Sequence, residues 1–280
     1  MPRTALVTGA NQGLGLALVK ALSQRLEVDD TVYLAARSDD RGRAAVESLE
    51  GSSAKVSFVR LDVTEPASIA ALGRMLEDRH GGIDIVASNA AARITKDQPQ
   101  AEQVRAFVAT NNHGSRALYG ALEPILHRDA RYVMVASSFG QLHRLPSNLH
   151  PMFDTDTLSL DDIEASMDRY VEAVEAGRAA DEGWPEWINI PSKIGQVATA
   201  RIAARDIARS RPDDGVLINA VCPGLIDTAA SRPWFDDMSD AQTPEQAAAP
   251  IVDLLLTPPG QESPSGQLIR FGKVLPWLST

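Results

Sequence analysis

A single cysteine, Cys222, occurs among the 280 residues. It can form no intramolecular disulfide and fits a reducing compartment. No apolar run approaches the ~18 residues that a membrane span needs. The opening stretch "MPRTALVTGANQGLG" has no basic segment leading into a long apolar one, so it does not read as a signal peptide. Positive charge is in deficit: 27 Lys and Arg face 37 Asp and Glu, for a formal net charge of −10. That balance argues against nucleic acid and membrane surfaces as partners, and for a soluble, cytoplasmic protein. Tyrosine is scarce as well. The only four are Tyr33, Tyr119, Tyr132 and Tyr170, none close in sequence to Lys193.

What is present is alternation. "TALVTG", "TVYLAAR", "KVSFVRLDV", "IDIVASNA", "RYVMVASS" and "GVLINAVCPG" are short apolar or β-branched runs ending in turn residues. Stretches with helical spacing lie between them, such as Leu16, Val19, Leu22 and Leu26. This pattern predicts βαβ units and a parallel sheet buried on both faces. The expected fold is α/β, a Rossmann-type doubly wound, mainly parallel sheet of about seven strands. Length and the 44% hydrophobic share suit one domain over residues 1–280. The alternation fails once, across residues 139–186, which read as a helical insertion within that domain over its active-site side. "DTDTLSLDDIEASMDRYVEAVEAG" supplies an acidic helix there, begun by Ser159.

"TGANQGLG", residues 8 to 15, follows a strand and opens a helix. Glycines there permit positive φ and close backbone approach, and a helix N-terminus offers free N–H groups to a pyrophosphate. The bland alternative is a tight strand–helix turn. At the end of the second predicted strand, an acidic residue would favour NAD, whereas arginine accommodates a 2′-phosphate. "LAARSDDRG" puts Arg37 there, with Arg41 four residues on. The expected cofactor is therefore NADPH.

Further motifs follow in order: "LDV" at 61 to 63, "SNAA" at 88 to 91, "TNNHG" at 110 to 114, "VASS" ending at Ser138, "GW" at 183 to 184, "SKIG" at 192 to 195 and "CPGLIDT" at 222 to 228. Together with Thr8, Gly9, Gly13 and Gly15, the series resembles the short-chain dehydrogenase/reductase superfamily, and within it the monomeric carbonyl reductase branch. The resemblance covers nearly the whole chain. It implies an NADPH-dependent reductase of a small molecule, working as a monomer. It assigns cofactor binding to Gly9, Asn11, Gln12, Gly13, Leu14, Arg37, Asp62, Val63, Asn89, Ala90, Ala91, Lys193, Pro223, Gly224, Ile226 and Thr228. Ala91 stands where the family carries glycine, and many NADP-preferring relatives have a basic residue near Gln12. No metal is expected.

The resemblance also assigns catalysis to Asn111, Ser138 and Lys193, with a tyrosine four residues before the lysine as proton donor. That spacing puts both groups on one helix face. Here the position holds Asn189. An amide donates a hydrogen bond but does not act as an acid near neutral pH. Several readings stay open. Asn189 and Pro191 simply begin a helix in a catalytically altered or inactive NADPH-binding protein with a sensing or templating role. Or hydride goes to a carbonyl, protonated by water, Tyr170 or His143. Or it goes to an enone or an iminium, neither of which needs the tyrosine. Six acids of the inserted helix (Asp161, Asp162, Glu164, Asp168, Glu172 and Glu175) are expected to be solvated, making that surface a poor two-fold interface.

Overall fold

In the computed structural model, which describes residues 2–278, the apolar runs become strands of one sheet. They are β1 (Thr4–Thr8), β2 (Thr31–Ala36), β3 (Lys55–Arg60), β4 (Ile83–Ser88), β5 (Leu126–Val135) and β6 (Leu217–Val221). Two short strands, β7 (Leu268–Arg270) and β8 (Lys273–Leu275), complete it. The order is β3-β2-β1-β4-β5-β6-β7-β8. Every neighbouring pair is parallel except β7 with β8. The strand beyond the seven expected is therefore the far arm of an edge hairpin. Its two-residue turn, Phe271–Gly272, takes positive φ at both positions, the geometry that matches strand twist.

Continuous apolar stretches in β1 and β4 imply cover on both faces, and helices provide it. α1 (Gly13–Arg25), α2 (Asp39–Glu47) and α8 (Pro244–Leu255) pack on one side through Leu18, Leu22, Ala45 and Ile251. α3 (Pro66–His80), α5 (Gly114–Leu122) and α7 (Asn189–Ser210) pack on the other through Leu72, Leu118 and Ala200. α4 (Gln100–Val108) enters α5 through a π-helical turn, Ala109–His113. Among the described residues no helix is long and apolar enough to cross a membrane.

The stretch 139–186 contains short 3₁₀ turns and α6 (Leu160–Glu175). Ser159 caps α6: its hydroxyl accepts from the Asp162 amide at 3.2 Å, while Asp162 accepts from the Ser159 amide at 2.8 Å. Ile163, Met167 and Tyr170 seat α6 in an apolar cluster shared with α4 and the start of α7. Its carboxylates are largely exposed, as expected. Four of the six also pair with basic residues on α4, the π turn and α5. Glu175 meets Arg105, Asp168 meets His113 at 3.0 Å, and both Asp161 and Glu164 meet Arg116. The cause is that α4 and α5 present their basic residues to that face of α6.

Candidate active site

The strand order reverses between β1 and β4, and open α/β sheets bind ligands at such a switch. Here the two strand ends are tied by side-chain hydrogen bonds. Thr8 Oγ1 accepts from the amides of Asn89 and Ala90, both at 2.9 Å, and Asn89 Nδ2 donates to the Thr8 carbonyl at 2.9 Å. A 320 Å³ cavity opens above them. Gly9, Asn11, Gln12, Gly13, Leu14, Arg37, Asp62, Val63, Asn89, Ala90 and Ala91 all line it. Gly9 has φ +62°, and a Cβ there would stand 2.8 Å from the Ala90 Cα. A Cβ on Gly15 would stand 2.6 Å from the Gly9 carbonyl oxygen. The turn therefore needs glycine at both positions, and leaves a bare backbone cradle at the start of α1 that suits a dinucleotide's pyrophosphate.

Arg37, Ser38, Arg41 and Asp62 also line this cavity. Burial alone would raise the Asp62 carboxyl. Two hydrogen bonds from Thr64 and the fields of Arg37 and Arg60 outweigh it, holding Asp62 below the usual range. No acidic side chain lines the end of β2, and the guanidinium there suits a 2′-phosphate.

A second cavity of 440 Å³ shares Ala91, Ala92, Arg93, Ile226, Thr228 and Ala230 with the first, so the two are lobes of one cleft. Asn111, Ser138, Asn189 and Lys193 all line the second lobe. Asn111 sits in the π turn, a conformation common at functional sites. Its Oδ1 accepts from the Ala92 amide at 2.8 Å, anchoring the loop between the lobes. Lys193 Nζ donates to the Val135 carbonyl at 3.2 Å and to Gln196 Oε1 at 2.7 Å. Burial pushes its ammonium down to about 8, against a smaller opposing influence from Cys222.

Asn189 is the first residue of α7, not its cap, and the chain's entry is held by Gln100 accepting from the Ile188 amide at 2.8 Å. Among the described residues, neither the Asn189 amide nor the Ser138 hydroxyl has a protein hydrogen-bond partner, so both are available to a ligand. No tyrosine lines the lobe. Tyr170 is buried against Trp184, where burial pushes its phenol well up, and His143 is exposed on a 3₁₀ turn that does not reach the lobe. Neither substitute donor lines the lobe. Of the other cofactor candidates, Gly224, Ile226 and Thr228 line the cleft. Pro223 does not line either lobe, and its carbonyl accepts from Gln242 at 3.0 Å.

Besides Gln196, three features escaped sequence reasoning. Asn112 exchanges two 2.8 Å hydrogen bonds with Ser192, pinning α7 beside Lys193. Gly195 permits that approach, since a Cβ there would stand 2.6 Å from Asn112 Nδ2. The doubled asparagine in "TNNHG" and the glycine in "SKIG" were the available signals. The third is the aromatic wall of the second lobe, including Phe139, Trp187 and Trp234, for which no motif exists.

Comparison with known proteins agrees with this geometry. The short chain dehydrogenase family model matches residues 3–147. NADPH carbonyl reductase 1 of Mus musculus is 35% identical over 277 residues, covering 98% of each chain. NADPH carbonyl reductase 3 of Rattus norvegicus is 36% identical over 279 residues, again covering 98% of each. Among solved structures, salutaridine reductase from Papaver somniferum superposes with a TM-score of 0.79 at 25% identity, covering 95% of this chain and 99% of that one.

Proposed function

The chain belongs to the short-chain dehydrogenase family, and from that premise we propose that it is an NADPH-dependent reductase of a small conjugated carbonyl compound, delivering hydride to the β-carbon of an enone. NADPH is the cofactor named for its carbonyl reductase relatives. The glycine cradle and Arg37 suit it, and NADPH would supply the hydride. One observation carries the choice of substrate: two unpartnered polar side chains, Ser138 and Asn189, share a lobe with Lys193 and with no tyrosine.

Hydride addition at the β-carbon sends the π-electron pair to the carbonyl oxygen, giving an enolate. The Ser138 hydroxyl and the Asn189 amide are donors for that oxygen, and the Lys193 charge offsets its developing charge in the manner of an oxyanion hole. Two of the lysine's three N–H groups are already fixed on Val135 and Gln196, leaving one for the ligand. Solvent then protonates carbon, so no phenol is needed. A simple ketone would instead leave an alkoxide that needs a proton at once. An iminium would bring positive charge to a lobe lined by Arg93, Lys193 and Arg270.

NADPH consumption across matched cyclic enones, saturated ketones and cyclic imines tests the proposal. Enones should be consumed fastest. Inert enones beside reduced ketones or imines would overturn it, and no turnover of any class would favour a non-redox binding role. We further propose that the chain acts as a monomer, because α6 occupies the outer faces of α4 and α7 and adds Glu172 and paired acids to the surface. Light scattering at micromolar concentration should then give a mass near 30.1 kDa.

A further inference from the structure

The substrate lobe is charged against the trend of the molecule. The whole chain carries a net charge of −10, yet the lobe's lining contains Arg93, Lys193 and Arg270 and no carboxylate among the described residues. Two more cations stand on its rings. Arg144 lies 5.0 Å over Phe139, and Lys96 lies 5.4 Å over Trp234. Neighbouring acids stay outside the lining. Asp227 is paired with Arg232 at 2.6 Å, while Glu186, Asp236 and Asp237 flank lining residues in sequence but do not line the lobe.

The walls between these cations are flat and apolar. Phe139 and Trp187 meet edge to face at 4.7 Å, and Trp187 continues to Trp234 at 6.3 Å with the rings tilted by 35°. A planar conjugated ligand suits such a slot, because ring faces offer stacking area at little entropic cost. The cations divide by position. Lys193 lies with Ser138 and Asn189, and Arg93 lines both lobes, where it can also serve the cofactor. Arg270 lines the substrate lobe alone, at the end of β7. Its guanidinium rests 5.0 Å over the Phe271 ring and has no carboxylate partner among the described residues.

We propose that the substrate is a planar, conjugated molecule bearing a carboxylate, and that Arg270 is the residue that recognises that carboxylate. A guanidinium fork matches a carboxylate with two parallel hydrogen bonds, while the aromatic walls hold the conjugated body against Ser138 and Asn189. The inference deepens the reductase reading and rests on it for the conjugated group.

The test separates the two. Benzalacetone carrying a para carboxylate is compared with its para carboxamide, by calorimetric titration into the NADP⁺-loaded protein, where no turnover occurs. The carboxylate should bind roughly 10–100-fold more tightly, the span of a charge-assisted hydrogen bond. Arg270→Gln should bring its affinity down to that of the carboxamide, and Arg270→Lys should retain part of the preference. Equal affinities in the parent protein, or a preference that survives Arg270→Gln, would overturn the proposal. Turnover with NADPH is then read separately. Preferential carboxylate binding without reduction of either compound sinks the reductase reading and leaves Arg270 standing; reduction of both at equal affinity does the reverse.

Discussion

At the β1–β4 switch the wall of the cleft is largely backbone, formed by Gly9, Gly13 and Gly15 and by strand ends tied through Thr8 and Asn89. Across Thr228, the other lobe is walled by side chains: Phe107, Phe139, Trp187, Trp234 and Phe235. A backbone wall dictates residue types, since a Cβ on Gly15 would strike the Gly9 carbonyl whatever the ligand. A side-chain wall dictates only a volume and a polarity, which many residue combinations satisfy. The first lobe can therefore be recognised from its letters, and the second must be seen.

The largest expected effect comes from treating the second lobe as though one letter decided it. Asn189→Tyr should place a phenol beside Ser138 and Lys193. General acid catalysis is worth about 10²–10⁴-fold, so reduction of a reactive ketone should rise by that order, with enone reduction little helped or hindered. Assay of kcat/KM on a ketone and an enone checks both. A variant that binds NADPH normally but reduces no ketone better than the parent would place Asn189 elsewhere than the acid's position, and the contrast between the lobes would run deeper than one residue.

A smaller effect probes the first lobe where it depends on a side chain. Arg37→Ala should remove much of the preference for NADPH over NADH, by about 1.5–3 kcal/mol or roughly tenfold to a hundredfold. Ser38 and Arg41 line the same cavity and should retain a remainder. Titration of each cofactor into parent and variant measures it. Equal affinities of the parent for the two cofactors would show that the guanidinium does not meet a phosphate.

The same division explains how much of the molecule was legible. Continuous apolar or β-branched runs marked β1, β2 and β4, and the glycines after β1 marked its turn, because buried parallel strands and phosphate turns restrict composition. β7 and β8, three residues each, are too short to carry a period. Ser159 announced α6, since a capping box is local chemistry. The pairing of its acids with Arg105, His113 and Arg116 was invisible, because it depends on which helix lies opposite. Asn111, Ser138 and Lys193 were found by resemblance. Gln196, which holds the lysine, was not, because a buried glutamine in a helix has no motif.

Lys193 lines the second lobe, and its titration gives the smallest and most discriminating effect. Burial lowers its ammonium from the ordinary 10.5 to about 8. Below pH 8 the folded and unfolded chains both carry the proton, so the cost of burying the charge is present in full. Between pH 8 and 10.5 the unfolded chain binds more protons than the folded one, so this residue makes stability rise with pH across that window. The denaturation midpoint of the parent relative to Lys193→Met should therefore climb from pH 8 to pH 9.5. Activity should move the opposite way. If the charged ammonium stabilises the enolate, kcat/KM falls about tenfold per pH unit once the lysine is neutral. Lys193→Arg keeps a charge that does not titrate in this range, so its profile should lose that fall even if its peak rate is lower. A parent profile flat to pH 10, or a decline that persists in Lys193→Arg, would remove the lysine's charge from the chemical step and leave it holding the cofactor alone.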